Sequence, residues 1–292
     1  MRPTATFLRA SRAIRTALLS ISVLALAAAI PLFSADNAQA RAERALFDAA
    51  GQPAGPGLTA KARKTVFDLS HSEIFSPVRA GELDYSSFYS LIRDSGTGAE
   101  VGVNEGPVTA ESLEGVGTYI IAGPARGFSP GESAALKGFV ERGGNLLVLL
   151  HISPPVASLT HEFGIIVSNF VVCERSGLIG GKPQDFLVTR FAAHPVTSGL
   201  KGIAVYGTWG LLPVNGASPV AMTSGAAWAD LDRNREFREG EPVEEFAIIA
   251  VRELGAGKVV VVADDAPFQN RFINDADNRK LAENIIRWFK QR

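Results

Sequence analysis

Four aliphatic runs organise the chain, and each turns polar at its C-terminal end. They are Thr65-Val66-Phe67-Asp68-Leu69-Ser70-His71, Thr118-Tyr119-Ile120-Ile121-Ala122-Gly123, Asn145-Leu146-Leu147-Val148-Leu149-Leu150-His151 and Lys258-Val259-Val260-Val261-Val262-Ala263-Asp264-Asp265. Continuous runs, rather than alternation, suit strands covered on both faces of a parallel sheet. Helical punctuation lies between them. Ser129-Pro130-Gly131-Glu132 reads as a capping box with Ser129 at the N-cap, and Leu136, Phe139 and Val140 continue it as one stripe up to Gly143-Gly144. Leu281, Ile285, Trp288 and Phe289, spaced i, i+4, i+7 and i+8, predict an amphipathic helix from Asp277 onward. A further helix is predicted around Tyr85 to Arg93. Strand, helix, strand in this order predicts an α/β layered fold, whose ligands usually sit at the C-terminal ends of the strands.

The beginning of the chain follows a different pattern. Arg2, Arg9, Arg12 and Arg15 precede an uncharged stretch from Thr16 to Phe33, and Ala38-Gln39-Ala40 supplies the small residues a signal peptidase requires. Residues 1–40 therefore read as a signal peptide with a mature N-terminus at Arg41, which predicts a periplasmic or secreted protein with no membrane span after cleavage. The competing reading is an uncleaved anchor, since the apolar stretch approaches the roughly 20 residues that span a bilayer. Residues 41–61, rich in Ala, Gly and Pro, read as a flexible linker, and residues 62–292 as one domain.

Charge and cysteine content narrow the partners. Removing Arg2, Arg9, Arg12, Arg15 and Asp36 leaves 25 basic and 29 acidic residues, a net charge of about −4, which offers nothing to attract nucleic acid. Cys173 is the single cysteine, so it cannot form an internal bridge. Its run Phe170-Val171-Val172-Cys173 reads as a buried strand, with an exposed nucleophile as the competing reading.

The polar ends of the four runs are predicted to converge on one edge. That gathers Asp68, Ser70, His71, Glu73, Gly123, His151, Asp264 and Asp265 as candidate ligand-binding residues, with His71, Glu73 and His151 able to exchange protons. The alternative is that Asp68 and Ser70 cap the next element and the histidines are structural. No H-E-x-x-H spacing or G-x-S-x-G elbow occurs, so zinc hydrolysis and a serine nucleophile are not expected. A second candidate lies at Asp230-Leu231-Asp232-Arg233-Asn234-Arg235-Glu236-Phe237-Arg238-Glu239-Gly240-Glu241. Asp230, Asp232, Asn234 and Glu241 fall at positions 1, 3, 5 and 12 of a calcium loop, and Glu236 supplies the position 7 carbonyl. Arg235 stands where glycine is usual, and Arg238 where an oxygen ligand or water is usual. The competing reading is a solvated hairpin between strands.

These residues resemble the class I glutamine amidotransferase-like fold. More closely, they resemble exported bacterial proteins related to gliding-motility auxiliary ABC-transport proteins and to the N-terminal domain of an intraflagellar-transport subunit. The resemblance rests on Val66-Phe67-Asp68-Leu69-Ser70-His71-Ser72-Glu73, Ile120-Ile121-Ala122-Gly123-Pro124, the Ser129-Pro130 helix ending in Phe139-Val140-Glu141-Arg142-Gly143-Gly144-Asn145, and Val262-Ala263-Asp264-Asp265 with Asp277-Asn278. It implies a flavodoxin-like, mostly parallel sheet with helices on both faces, and a β-hairpin insertion carrying the acidic loop. The amidotransferase cysteine belongs on the turn after Leu150, where this chain has His151-Ile152-Ser153, so the resemblance implies the scaffold without its nucleophile. The expectation is a non-catalytic binding or accessory module for a saccharide, an envelope component or a transport complex, with calcium as a candidate cofactor. The alternative is a hydrolase using His71, Glu73 or His151.

Overall fold

A computed structural model describes residues 64–95 and 100–291, so the expected leader (1–40) and linker (41–61) lie outside the described residues. The first half of the described chain contains β1 (Lys64–Asp68), α1 (Ser86–Arg93), β2 (Val101–Asn104), β3 (Val116–Ala122), α2 (Pro130–Glu141), β4 (Asn145–Leu149), α3 (Ala157–Glu162) and β5 (Ile165–Cys173). The second half contains β6 (Leu178–Ile179), β7 (Lys182–Val188), β8 (Arg190–Phe191), β9 (Ile203–Tyr206), β10 (Trp209–Pro213), β11 (Ser218–Met222) and β12 (Trp228–Asp230). It closes with β13 (Ala247–Leu254), β14 (Gly257–Val262) and α4 (Asn278–Lys290).

All four aliphatic runs form strands of one sheet. Their uniform character has the expected cause, because Leu146 to Leu149 and Val259 to Val262 are buried on both faces. The order across the sheet is β12-β5-β10-β13-β14-β4-β3-β1-β2, with β11 and β8 attached beside β13. Strands β2, β1, β3, β4 and β14 run parallel. Beyond β14 the pairing is antiparallel through β13, β10, β5 and β12. The expectation of a mostly parallel sheet is therefore corrected to one parallel in one half only. The reversal is made by a tight hairpin in which Leu254 pairs with Gly257. Gly255 there has φ +60°, and a Cβ on it would lie 2.3 Å from the Glu141 carbonyl oxygen, so the turn is wedged against the end of α2. A separate three-stranded antiparallel sheet joins β6, β7 and β9.

Helices cover both faces of the parallel half. Successive strand residues point to opposite faces. The Lys258 ammonium reaches the Trp288 carbonyl on α4 at 2.8 Å, whereas the neighbouring Gly257 faces the Val140 carbonyl on α2. On α2 the capping box forms as expected, the Ser129 N–H donating to Glu132 Oε2 at 2.9 Å and the Glu132 N–H to Ser129 Oγ at 3.2 Å. Where a β-hairpin insertion is expected, β12 pairs with β5 and its return segment makes a single bridge rather than a second strand. Val243 bridges back to Trp228 and closes the base of the acidic loop. Cys173 ends β5 fully buried, opposite Trp228. Among the described residues no helix is long and apolar enough to cross a membrane.

Candidate functional site

The end of β1 passes directly into a turn that folds back on itself. Asp68 is 2% exposed, and its two oxygens take four donors. Oδ1 accepts from the Ser70 N–H at 3.2 Å, Ser70 Oγ at 2.7 Å and the Tyr119 hydroxyl at 2.9 Å. Oδ2 lies 2.6 Å from His71 Nδ1. Burial works to raise the Asp68 pKa, but the hydrogen bonds from His71 and Ser70 overcome it and hold the carboxyl below its ordinary value. His71 is fully buried and stacks on Phe128 with ring centroids 3.7 Å apart. Its Nε2 is 3.3 Å from Glu132 Oε1 yet out of line for a hydrogen bond, which leaves that nitrogen buried without a hydrogen-bond partner. Burial disfavours charge on the ring, but Asp68 and Glu132 on either side outweigh it and raise the His71 pKa.

Glu73 completes this cluster. Its carboxylate accepts the His71 backbone N–H at 3.1 Å, across Ser72, a non-glycine residue held at φ 57°. Burial, with Asp68 nearby, pushes the Glu73 pKa up to about 7. One ligating atom from each of Asp68, His71 and Glu73 falls within 4.8 Å of the others.

The second cluster gathers where β3, β4 and β14 end. Asp265 Oδ2 accepts from the Tyr85 hydroxyl at 2.5 Å and from Gln269 Nε2 at 3.3 Å, and Oδ1 lies 3.2 Å from His151 Nδ1. Asp264 accepts the N–H groups of Tyr206 and Ala266, and burial beside Asp265 pushes its pKa up to about 8. The hydrogen bond to Asp265 raises the His151 pKa. Gly123 joins the two clusters. It sits at φ +63°, its carbonyl accepts the Ile74 N–H, and a Cβ there would lie 3.2 Å from Asp265 Oδ2 and 3.3 Å from both His151 Cβ and the Tyr85 oxygen.

The eight residues therefore lie in two clusters, Asp68, Ser70, His71 and Glu73 in one and Gly123, His151, Asp264 and Asp265 in the other, and little of either faces solvent. Phe75 packs edge-on against both His151 and Tyr85. The His151 side chain, 37% exposed, is the accessible ring of the set. Sequence reasoning missed Tyr85, Tyr119 and Gln269. Tyr119 had a visible signal, since a phenol inside an aliphatic strand needs a buried partner for its hydroxyl.

Side-chain oxygens of the acidic loop accept backbone N–H groups within the loop. Asp230 accepts the N–H groups of Asn234 and Arg235, Asp232 that of Asn234, and Asn234 that of Glu236. Glu241 accepts from Leu231 and Arg238. Arg235 takes the left-handed conformation, φ 64°, that glycine usually supplies. Ligating atoms of Asp230, Asp232 and Glu241 fall within 4.8 Å of one another, so the donor set suits a hard cation. One feature opposes it, because Arg238 Nη1 lies 2.7 Å from Asp232 Oδ2 and already supplies positive charge.

Comparison with known proteins places these features. The chain is 23% identical over 206 residues to an intraflagellar transport protein 52 homolog of Mus musculus, covering 62% of this chain and 46% of that protein. The Homo sapiens homolog matches at the same identity, with 62% and 45% covered, so the chain spans about half the length of the curated relatives it matches. Among solved structures, the mmIFT52 N-terminal domain superposes with a TM-score of 0.63 at 19% identity, covering 78% of this chain and 98% of that one, a likeness of fold alone. Residues 79–286, well over half of the sequence, match the family model described as "Domain of unknown function (DUF4350)", and the chain belongs to that family.

Proposed function

We propose that this protein is a non-catalytic binding or accessory module, exported to the periplasm or beyond and serving an envelope or transport assembly. The observation that carries the reading is the commitment of the strand-edge groups to one another. Asp68 and Asp265, the carboxylates beside the two histidines, are saturated by Ser70, Tyr119, Tyr85 and Gln269. A general base must be free to reach the proton it abstracts. Here the Asp68–His71 dyad is fully buried and braces the protein, whereas His151 keeps an exposed ring suited to a saccharide or a partner's polar group. The amidotransferase-like, flavodoxin-related assignment belongs to the same proposal. It is supported by the parallel half-sheet with helices on both faces, while the turn after Leu150, which offers His151 and no cysteine, departs from that group and fits a module without its nucleophile. Similarity to proteins named for transport supports an accessory role. Calcium at Asp230, Asp232, Asn234, Glu236 and Glu241 is a separate part of the proposal, supported by spacing and loop conformation.

The test uses mature protein from the extracytoplasmic fraction, whose intact mass should begin at Arg41. It is assayed against glutamine, ester and glycoside substrates and screened for thermal stabilisation by a panel of envelope saccharides. The expected result is no turnover above background, and stabilisation that His151→Ala abolishes. Turnover lost in His151→Ala or Glu73→Gln would overturn the reading in favour of the hydrolase.

A further inference from the structure

Away from the strand edge, α1 and α4 lie side by side on one face of the sheet with a groove of about 870 Å³ between them. Ser86, Ser87 and Ser90 of α1 form one wall, Arg279, Arg287 and Lys290 of α4 the other, and Leu91 with Ile286 contributes apolar surface between them. A second groove of about 460 Å³ runs along the other side of α4, shares Arg279, Glu283 and Arg287, and adds Lys280. Together the two grooves are lined by four cations of α4 against three carboxylates, Glu283, Asp94 and Asp277.

The local charges do not cancel. Glu283 is paired with Arg279 at 3.6 Å, and Asp94 on the α1 side with Arg93 at 2.9 Å. Asp277 in the second groove, held below its ordinary pKa by the Lys201 and Gly202 N–H groups, also feels the Lys280 charge, so the uncompensated cations are Arg287 and Lys290. Among the described residues Arg287, Lys290 and Lys280 have no carboxylate within ion-pair distance, and their hydrogen bonds go to neutral oxygens, Asn284 Oδ1, Ser95 Oγ and the Gly199 carbonyl. Burial, with Arg287 alongside, lowers the Lys290 pKa, so the two cations are held close in a partly dry setting. Like charges kept together without a counter-charge favour an anionic occupant.

From this placement we infer that the α1–α4 face is a docking site for an acidic segment of a partner protein. The occupant follows from the lining. In the larger groove the apolar strip at Leu91 and Ile286, lying between the α1 serines and the α4 cations, suits side chains interspersed among carboxylates better than a bare anion. This site is separate from the His151 patch and stands or falls independently of it.

Fluorescence anisotropy with a labelled Glu-rich peptide containing leucines, titrated with the mature protein at low salt and at about 0.15 M salt, tests the inference. The double reversal Arg287→Glu with Lys290→Glu should weaken binding by about tenfold or more, as expected for removing paired charges at a recognition rim, while Lys137→Glu on α2 leaves it within about twofold. Circular dichroism confirms that each variant is folded. Should the double reversal unfold, Lys280→Gln with Arg287→Gln reads the same outcome. Absence of binding to the unaltered protein, equal weakening by Lys137→Glu, or preference for inorganic tripolyphosphate or anionic vesicles over the peptide overturns it.

Discussion

Replacing Asp68 by alanine separates a brace from a working active site. The carboxylate is buried and takes four donors, from the Ser70 N–H and Oγ, Tyr119 and His71. Its removal leaves the buried His71 ring with Glu132 as its remaining charged neighbour and the Tyr119 hydroxyl without that acceptor. Removing one partner of a buried ion pair costs about 3–5 kcal/mol. Ser70 Oγ, 3.0 Å from His71 Nδ1, recovers part of the loss, which places the cost near the lower end. For a domain of this size the change lowers the melting temperature by about 2–4 °C per kcal/mol, or roughly 6–15 °C in all. Asp68→Asn keeps the shape and most acceptors and should cost about 1–2 kcal/mol.

The pH dependence has a defined sign. Asp68 has a lowered folded pKa, so its contribution is present above the unfolded value of about 3.9 and is lost as pH falls through the folded one. His71 has a raised folded pKa, so its contribution is complete below about 6.5 and is lost as pH rises through the folded value. The unaltered protein should gain most from the pair between those limits, and Asp68→Ala should lose that gain. Urea unfolding at several pH values, read as a midpoint shift at constant slope, gives the measurement. A cost under about 1 kcal/mol, or stabilisation of the kind seen when a strained functional group is removed, would refute the bracing argument.

Three further outcomes are expected. Gly255→Ala forces a Cβ into the Glu141 carbonyl at a left-handed position and should destabilise by more than about 2 kcal/mol, measured by the same unfolding assay. Cys173, whose thiol burial pushes up to about 12, should resist a thiol reagent at neutral pH until the protein is unfolded, and rapid labelling of native protein would contradict its placement. Millimolar Ca²⁺, but not Mg²⁺, should raise the melting temperature by a few degrees, and Asp232→Ala with Glu241→Ala should erase the response. Equal effects of the two ions would leave the loop a hairpin closed by Arg238.

The sequence disclosed what is local. The Ser129 to Glu132 box, the stripe through Leu281 and Trp288 and the four aliphatic runs each declare themselves within a few residues. Strand direction did not, because an aliphatic run such as Ala247 to Val251 looks the same whether its neighbours are parallel or antiparallel. The turn at Leu254-Gly255-Ala256-Gly257 was the available sign of reversal. The edge residues were legible from the polar ends of the runs, yet their meaning was not, because it depends on contacts distant in sequence. Tyr85 meets Asp265 across 180 positions, and Tyr119 meets Asp68 across 51. Those contacts turn an apparent crevice into a filled junction.

The position of β14 has a consequence for how the molecule is made. This last strand of the sheet lies between β13 and β4, near the middle of the order rather than at an edge. Until residues 257–262 arrive, β4 presents an unpaired, wholly aliphatic border, and the two halves of the sheet have no seam joining them. An emerging chain therefore carries an adhesive edge while the residues between β4 and β14 are made, the kind of surface that holding chaperones mask. Truncation before β14 should remove the keystone rather than trim the rim, whereas extensions placed after α4 leave the closure untouched.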